Sequence, residues 1–153
     1  MIGLLQRVKW ARVTVTGEAI AAIGPGLLVL AAMERGDSPA GAARLAERLL
    51  AYRVFPDAAG RMNRSLTDVG GELLLVPQFT LAADTSHGNR PGFEPAAPPE
   101  AGRALFEQLV DAARRLHPRV QTGRFGADMD VELLNTGPVT FSLRVAPVSA
   151  MRP

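Results

Sequence analysis

Two uninterrupted apolar segments constrain the fold of this chain more than any other feature of its sequence. Residues 27–33 read LLVLAAM, and residues 72–81 read ELLLVPQFTL, an apolar strand pattern that stops at polar side chains. A run of this length without polar alternation is typical of a strand that is buried inside a protein. The sequence therefore predicts two buried strands, one over each segment.

Further strands are predicted at both ends of the chain. Residues 2–16 and 18–23 carry alternating apolar and β-branched positions with Gly17 between them, which indicates a hairpin. Two more strands are predicted at about 119–125 and 129–146. Most of the predicted strand residues therefore lie at the two ends of the chain.

Two helices are predicted between the strands. Ser38 followed by Pro39 is a helix-start signal, because a capping side chain precedes a proline at the first helical position. Apolar residues then recur at helical spacing to about Tyr52. A second apolar stripe predicts a helix from about Pro99 to Leu116. Strands outnumber helices and the connections are mixed, so an α/β fold is expected.

Composition narrows the class of protein further. The chain has 153 residues, of which 47% are hydrophobic and none is cysteine. This length predicts a single domain over residues 1–153, and the lack of cysteine excludes disulfides and cysteine-based metal or nucleophile sites. No apolar run reaches the roughly 20 residues needed to cross a bilayer, and the N-terminus lacks a secretion signal. A cytoplasmic protein without membrane contact is expected.

The charge balance bears on nucleic-acid binding. The net charge is only +2, from 17 basic and 15 acidic residues. Such a small excess does not favour a DNA-binding protein that relies on many phosphate contacts. The basic residues are almost all arginine, which suits phosphate recognition but is equally typical of a GC-rich genome.

The usual catalytic motifs are mostly missing. His117, at the end of the second predicted helix, is expected to cap that helix, and His87 is expected on a loop surface. Asp128 and Asp130 have no third metal ligand near them in the sequence, so no metal site is predicted. No glycine-rich phosphate-binding motif opens a helix, so no cofactor is expected.

Two polar segments remain, and each interrupts a strand pattern. Residues 77–81, PQFTL, end the second apolar segment, and residues 135–140, NTGPVT, lie inside the last predicted strand. Proline has no N–H group for a sheet ladder, so Gly137-Pro138 should weaken that strand. Each segment alone is typical of a solvated strand end or a turn. Their joint occurrence favours a functional site.

These segments make the chain resemble the D-aminoacyl-tRNA deacylase family, which removes D-amino acids from wrongly charged tRNA. The family signatures are carried here by QFTL at 78–81 and by NTGPVT at 135–140. Where the family most often has serine before QFTL, this chain has Pro77, which offers neither a hydroxyl nor an N–H group. The resemblance covers nearly the whole chain, through the stretches QRVKWARVTV, IGPGLLVL, RMNRSL, GELLLVPQFTL, SHGNRPGF and GRFGADMDVELLNTGPVTFSL.

The resemblance implies a fold, an assembly and a substrate-binding segment. The expected fold has a mixed, mostly antiparallel, barrel-like sheet flanked by two main helices and assembled as a homodimer. The Gly137-Pro138 pair of one subunit is expected to reach into the active site of the other, with a cis peptide bond between the two residues. Asn135, Val139 and Thr140 are implied as further members of this substrate-binding segment.

The implied activity is hydrolysis of the ester bond between a D-amino acid and tRNA. L-amino acids are expected to be rejected, and glycyl-tRNA is expected to be cleaved as well. The implied catalytic residues are Gln78, Phe79 and Thr80. Since the sequence offers no evident general base for Thr80, this residue is expected to position the ester and stabilise the oxyanion, with water or the ribose hydroxyl as nucleophile. Thr80 as the nucleophile is the alternative.

The expected partner is the CCA end of aminoacyl-tRNA, bound through phosphate and sugar contacts that do not depend on sequence. Two other functions stay open. The chain is alternatively a noncatalytic module that binds RNA ends or amino acids, or an esterase that does not require RNA. The candidate tRNA-binding residues are Arg7, Lys9, Arg12, Arg64 and Arg90.

Overall fold

A six-stranded mixed sheet forms the centre of the structure, a computed structural model that describes residues 1–147. The three helices are α1 (Pro39–Ala51), α2 (Leu66–Val69) and α3 (Pro99–Leu116), and a short 3-10 helix covers Phe79–Ala82. Strands β4 and β5 form a separate two-stranded sheet. The strands are β1 (Ile2–Val15), β2 (Glu18–Ile23), β3 (Gly26–Ala32), β4 (Phe55–Pro56), β5 (Met62–Arg64), β6 (Glu72–Pro77), β7 (Val120–Thr122) and β8 (Asp130–Arg144).

The main sheet curls until it nearly closes. Strand β1 pairs antiparallel with β2, β3 and β8, whereas β3 pairs with β6, and β6 with β7, in parallel. The backbone N–H of Ala22 in β2 donates a 2.9 Å hydrogen bond to Oε1 of Gln121 in β7. The expected α/β fold with a mixed, mostly antiparallel, barrel-like sheet is confirmed.

The two apolar segments form β3 and β6, and both of their faces are buried. Leu27 and Leu73 belong to the core between the sheet and helices α1 and α3. Leu28 and Leu74 belong to a second core inside the curled sheet. All four side chains are fully buried. This two-sided burial explains why neither segment alternates with polar residues.

A close approach of β3 and β6 sets the register of their pairing. A Cβ atom added to Gly26 would lie only 1.9 Å from the carbonyl oxygen of Glu72, so no larger residue fits at this position. From there the parallel pairing runs to Ala31 and Pro77, which are partners at the carboxyl ends of the two strands.

The two long helices begin and end as their sequences predict. Ser38 is the N-cap of α1, and its hydroxyl accepts a 3.2 Å hydrogen bond from the N–H of Gly41. His117 is the C-cap of α3, and its backbone N–H donates to the carbonyl of Ala113. Its buried ring Nε2 lies 2.7 Å from the carbonyl oxygen of Gly71. His117 therefore has a structural role, but its ring contacts the carbonyl of Gly71 rather than the α3 carbonyls that it was expected to cap.

Residues 56–71 contain elements that were not predicted from the sequence. The hydroxyl of Ser65 accepts from the N–H of Asp68, and the Asp68 carboxylate accepts from the N–H of Ser65 at 2.8 Å. This capping box opens α2. Hydrogen bonds from Ser65 hold the pKa of Asp68 below its usual value.

The last two strands are shorter than predicted. β7 covers only Val120–Thr122 of the predicted 119–125, and β8 ends at Arg144, two residues before the predicted end. No helix within the described part of the chain is long and apolar enough to span a bilayer.

Candidate active site

A cavity of about 600 Å³ opens at the carboxyl ends of β3 and β6. Ala31 and Met33 line it from the β3 side, and Val76 and Pro77 line it from the β6 side. Most of the residues that line it are apolar, and the polar exceptions are Gln78 and Asp128. An apolar cavity with a few polar groups is the usual form of a small-molecule site.

The first signature segment forms one wall of this cavity. Strand β6 ends at Pro77 rather than at residue 81, and a 3-10 helix follows. The strand prediction was therefore wrong for the last four residues. Gln78 and Phe79 line the cavity, and the Gln78 side-chain amide donates a short hydrogen bond to the hydroxyl of Thr80. Thr80 is exposed and is not among the residues that line the cavity in the described part of the chain.

The long loop between the 3-10 helix and α3 packs beside this wall. The rings of Phe79 and Phe93 lie 5.1 Å apart between centroids, although their side chains are 57% and 40% exposed. Asp84 pairs with Gly92 at the base of the loop, and hydrogen bonds from Ser86 lower the pKa of Asp84. The loop thus places Phe93 against the exposed Phe79 ring next to the cavity. His87 lies exposed on this loop, as predicted.

Other lining residues of the cavity were not predicted from the sequence. Phe106 of α3, Phe125 and Asp128 line it, and the rings of Phe106 and Phe125 lie 6.3 Å apart between centroids. The guanidinium of Arg103 lies 4.9 Å above the Phe125 ring. In the sequence, Phe125 and Asp128 belong to the GRFGADMD stretch, which contributed to the resemblance, and Asp128 was considered only as a metal ligand. Among the described residues no group of three potential metal ligands occurs.

The second signature segment forms a bulge in β8. Asn135 pairs with Val8 and Thr140 pairs with Gln6, so residues 136–139 stand opposite Arg7 alone. The sheet ladder is interrupted where the sequence predicts it. Gly137 and Pro138 are exposed at the tip, and the peptide bond between them is cis.

Arg7 and Asn135 support the bulge from inside the same chain. The guanidinium of Arg7 donates to the carbonyl of Val54 at 2.7 Å and to that of Thr136 at 3.3 Å. The Asn135 amide donates to the carbonyls of Arg7 and Val139 at 3.0 and 3.1 Å. These contacts leave the tip of the bulge projecting from the sheet.

The tip of the second signature segment lies outside the cavity lining. Gly137 and Pro138 are not among the residues that line the cavity in the described part of the chain. Exposed apolar side chains, Leu134 and Phe141, flank the bulge on β8.

The candidate RNA-binding residues lie on separate elements. Arg12 pairs with Glu132 at 2.6 Å, and Arg64 donates to the carbonyl of Asp68 at 3.0 Å. These side chains, like Arg7, already have partners within the chain. Lys9 and Arg90 are exposed on β1 and on the long loop.

Comparison with known proteins identifies relatives over almost the whole length. The family described as D-Tyr-tRNA(Tyr) deacylase matches residues 4–144. A protein named D-aminoacyl-tRNA deacylase, from Paracidovorax citrulli (strain AAC00-1), is 60% identical over 147 residues, which cover 96% of this chain and 95% of that protein.

Solved structures give the same fold. The c-Myc DNA Unwinding Element Binding Protein aligns with a TM-score of 0.91 and 36% identity, over 95% of this chain and 99% of the other. A probable eukaryotic D-amino acid tRNA deacylase aligns with a TM-score of 0.76 over 93% of this chain and 98% of the other. At 17% identity, the latter similarity shows the shared fold alone.

Proposed function

The chain belongs to the D-Tyr-tRNA(Tyr) deacylase family, and from this premise we propose that it hydrolyses the ester bond between a D-amino acid and tRNA. The observation that carries the proposal is the 60% identity to a D-aminoacyl-tRNA deacylase over 96% of the chain. The cavity supports it, since Gln78 and Phe79 of the first signature line a space large enough for a small ligand.

The complete active site is proposed to need two copies of the chain. In one copy the cavity is open, and the Gly137-Pro138 bulge is exposed and lies outside the cavity lining. A symmetric dimer allows the bulge of each copy to enter the cavity of the other, because a two-fold axis makes the two contacts identical. The exposed Leu134 and Phe141 beside the bulge would be covered by the same contact.

The inserted bulge would select the handedness of the substrate. The carbonyl oxygens of Gly137 and Pro138 would accept hydrogen bonds from the α-ammonium group of the amino acid. The ester would then face the wall at Phe79 and Thr80. With both groups held, inversion at the α-carbon turns an L side chain into the wall, whereas a D side chain points out. Specificity of this kind comes from a steric clash with the wrong substrate.

The same geometry has consequences for substrate range. Because backbone oxygens select the substrate, its side chain has little influence on binding. Glycine has no side chain to clash, so glycyl-tRNA is proposed as an additional substrate. The tRNA is proposed to bind at its CCA end through contacts to its sugar-phosphate backbone. The exposed candidates are Lys9, Arg12, Arg64 and Arg90, of which Arg12 and Arg64 already contact other groups of the chain.

Thr80 is proposed to stabilise the transition state rather than to attack the ester. Its hydroxyl oxygen already accepts a hydrogen bond from the Gln78 amide, which makes the oxygen a weaker nucleophile and leaves its hydrogen free to donate. The N–H groups of Phe79 and Thr80 start a helical turn, where such groups have no partner within the helix. Together they can stabilise an oxyanion, with water or the ribose hydroxyl as nucleophile.

The two other functions have less support. A noncatalytic binding module would not need the Gln78–Thr80 arrangement, and an RNA-independent esterase would not account for similarity to tRNA deacylases over the whole chain. DNA binding, which the name of one structural relative implies for that protein, has no support from the net charge of +2.

Purified protein incubated with D-tyrosyl-tRNA and with L-tyrosyl-tRNA tests the proposal. The D-ester should be hydrolysed over many turnovers, and the L-ester should persist at the rate of spontaneous hydrolysis. A D-tyrosine methyl ester, tested in parallel, should be a poor substrate because it lacks the RNA. Persistence of the D-tyrosyl-tRNA over many enzyme equivalents would remove the assignment as a hydrolase.

Replacement of Pro77 by serine tests whether the unusual residue before QFTL matters. We expect kcat/KM for D-tyrosyl-tRNA to change less than about tenfold, which corresponds to less than about 1.4 kcal/mol. The reason is that Pro77 lines the cavity without offering a donor, while the proposed donors lie at Phe79 and Thr80. Steady-state kinetics of both proteins provide the measurement. A much larger gain in the Pro77→Ser variant would mean that a serine hydroxyl takes part in the reaction.

A further inference from the structure

The side chain of Asn135 spans the base of the β8 bulge. Its Nδ2 atom donates to the carbonyl oxygen of Arg7 on β1 at 3.0 Å and to that of Val139 in β8 at 3.1 Å. Arg7 stands opposite the bulge, and Val139 is its last residue. One carboxamide therefore connects the neighbouring strand with the far end of the bulge.

We infer that Asn135 is a positioning residue, which holds the Gly137-Pro138 bulge in the shape required for the selection of D-substrates. This inference rests on the function proposed above. It assigns Asn135 a role that acts through the backbone of the bulge and not through contact with the substrate.

The hydrogen-bonding capacity of Asn135 supports this role. The Nδ2 atom has two hydrogens, and the carbonyls of Arg7 and Val139 use both of them. The Oδ1 atom accepts a weaker hydrogen bond from the hydroxyl of Thr140 at 3.4 Å. Gln6 in turn donates to that hydroxyl at 3.4 Å. Asn135 has no donor left for a substrate.

The bulge needs such support because it has no strand partner. Residues 136–139 stand outside the paired register of β1 and β8. Within residues 1–147, the other side chain that donates a hydrogen bond to this segment is that of Arg7, whose guanidinium binds the carbonyl of Thr136. A selector made of backbone oxygens tolerates little movement, since a displacement of about 1 Å can cost about 10²-fold in rate. Loss of the Asn135 bridge should therefore reduce selectivity as well as rate.

Replacement of Asn135 by aspartate tests the inference with minimal change in shape. A carboxylate cannot donate, and its charge would face the carbonyl oxygens of Arg7 and Val139. We expect kcat/KM for D-tyrosyl-tRNA to fall at least about tenfold, and hydrolysis of L-tyrosyl-tRNA to rise above its spontaneous rate, because a displaced bulge no longer excludes the L-ester. Parallel kinetics with both esters measure the two changes. Loss of D-ester hydrolysis with the L-ester still at its spontaneous rate would indicate a purely structural role and would overturn the inference.

A matched control comes from a second asparagine outside the proposed site. Asn63 donates a 2.8 Å hydrogen bond to the carboxylate of Asp57 on an exposed hairpin. The Asn63→Asp variant loses the same kind of donor, but it should keep the D-to-L ratio of the wild-type protein within about twofold. A similar loss of selectivity in both variants would show that the effect is not specific to Asn135.

A second measurement is independent of catalysis. Hydrogen–deuterium exchange of the peptide spanning residues 133–141 should be faster in the Asn135→Asp protein than in the wild type and unchanged in the Asn63→Asp protein. Unchanged exchange in the Asn135→Asp protein would overturn the inference. If the wild-type protein hydrolyses neither ester, the proposed function fails, and the exchange result still decides whether Asn135 holds the bulge.

Discussion

Replacement of Gly137 by alanine is expected to lower kcat/KM for D-tyrosyl-tRNA by about 10²-fold or more, because it should displace the carbonyls that we propose to select the substrate. Gly137 has φ of +123°, which an L side chain rarely adopts. A Cβ atom there would lie 2.8 Å from Cγ2 of Val139 and 3.0 Å from Nη2 of Arg7. The bulge would have to change shape to accept it. Steady-state hydrolysis of D- and L-tyrosyl-tRNA gives the effect on rate and selectivity.

A matched control separates this effect from a general cost of backbone strain. Gly17 also has a positive φ, +81°, and a Cβ atom there would have no neighbour within 4 Å. It lies in the β1–β2 turn, away from the cavity lining. The Gly17→Ala protein should be less stable but should retain its selectivity. Wild-type rate and selectivity in the Gly137→Ala protein would contradict the role given to the bulge.

Replacement of Thr80 by alanine is the second change with a large expected effect. It removes the hydroxyl that we propose as an oxyanion donor, and the loss of one such donor typically costs about 10²- to 10³-fold in rate. Thr80 is exposed and follows the end of β6, so the melting temperature should stay close to that of the wild type. Single-turnover hydrolysis of D-tyrosyl-tRNA and thermal unfolding provide the two measurements.

Two further variants define what this loss means. Thr80→Ser keeps the hydroxyl and should recover most of the rate. Thr67→Ala removes a hydroxyl that donates to the carbonyl of Leu50 in another part of the molecule and should leave the rate unchanged. If the Thr80→Ala protein retained full activity, the hydroxyl would have no part in the reaction, and only the backbone N–H groups would remain as donors.

The sequence predicts the buried strands and the long helices well because their signals are local. The apolar segments of β3 and β6 need no alternation when both faces are covered, and Ser38 and Pro39 mark the start of α1 through capping chemistry. The end of β6 was misplaced because the apolar pattern continues through Phe79 and Leu81. Proline at position 77 and the turn that follows end the strand there.

Only part of the candidate site could be predicted from the sequence, because the remaining residues are brought to the cavity by contacts between distant parts of the chain. The signature residues at 78–80 and 135–140 could be identified from the sequence. Phe125 and Asp128 reach the cavity only through the folding of the segment between β7 and β8, which no periodic pattern encodes. The hydrogen bonds of Arg7 to Val54 and Thr136 depend on contacts 47 and 129 residues away. Such long-range contacts have no local sequence signal.

Mixed dimers test most directly whether two copies build each active site. Thr80→Ala and Gly137→Ala chains, produced together with different affinity tags, can be purified as heterodimers. If the bulge of one copy completes the cavity of the other, one of the two sites keeps both residues, and the heterodimer should recover about half of the wild-type turnover. Heterodimers as inactive as either parent would contradict the account, because each chain would then carry a defect in a site of its own.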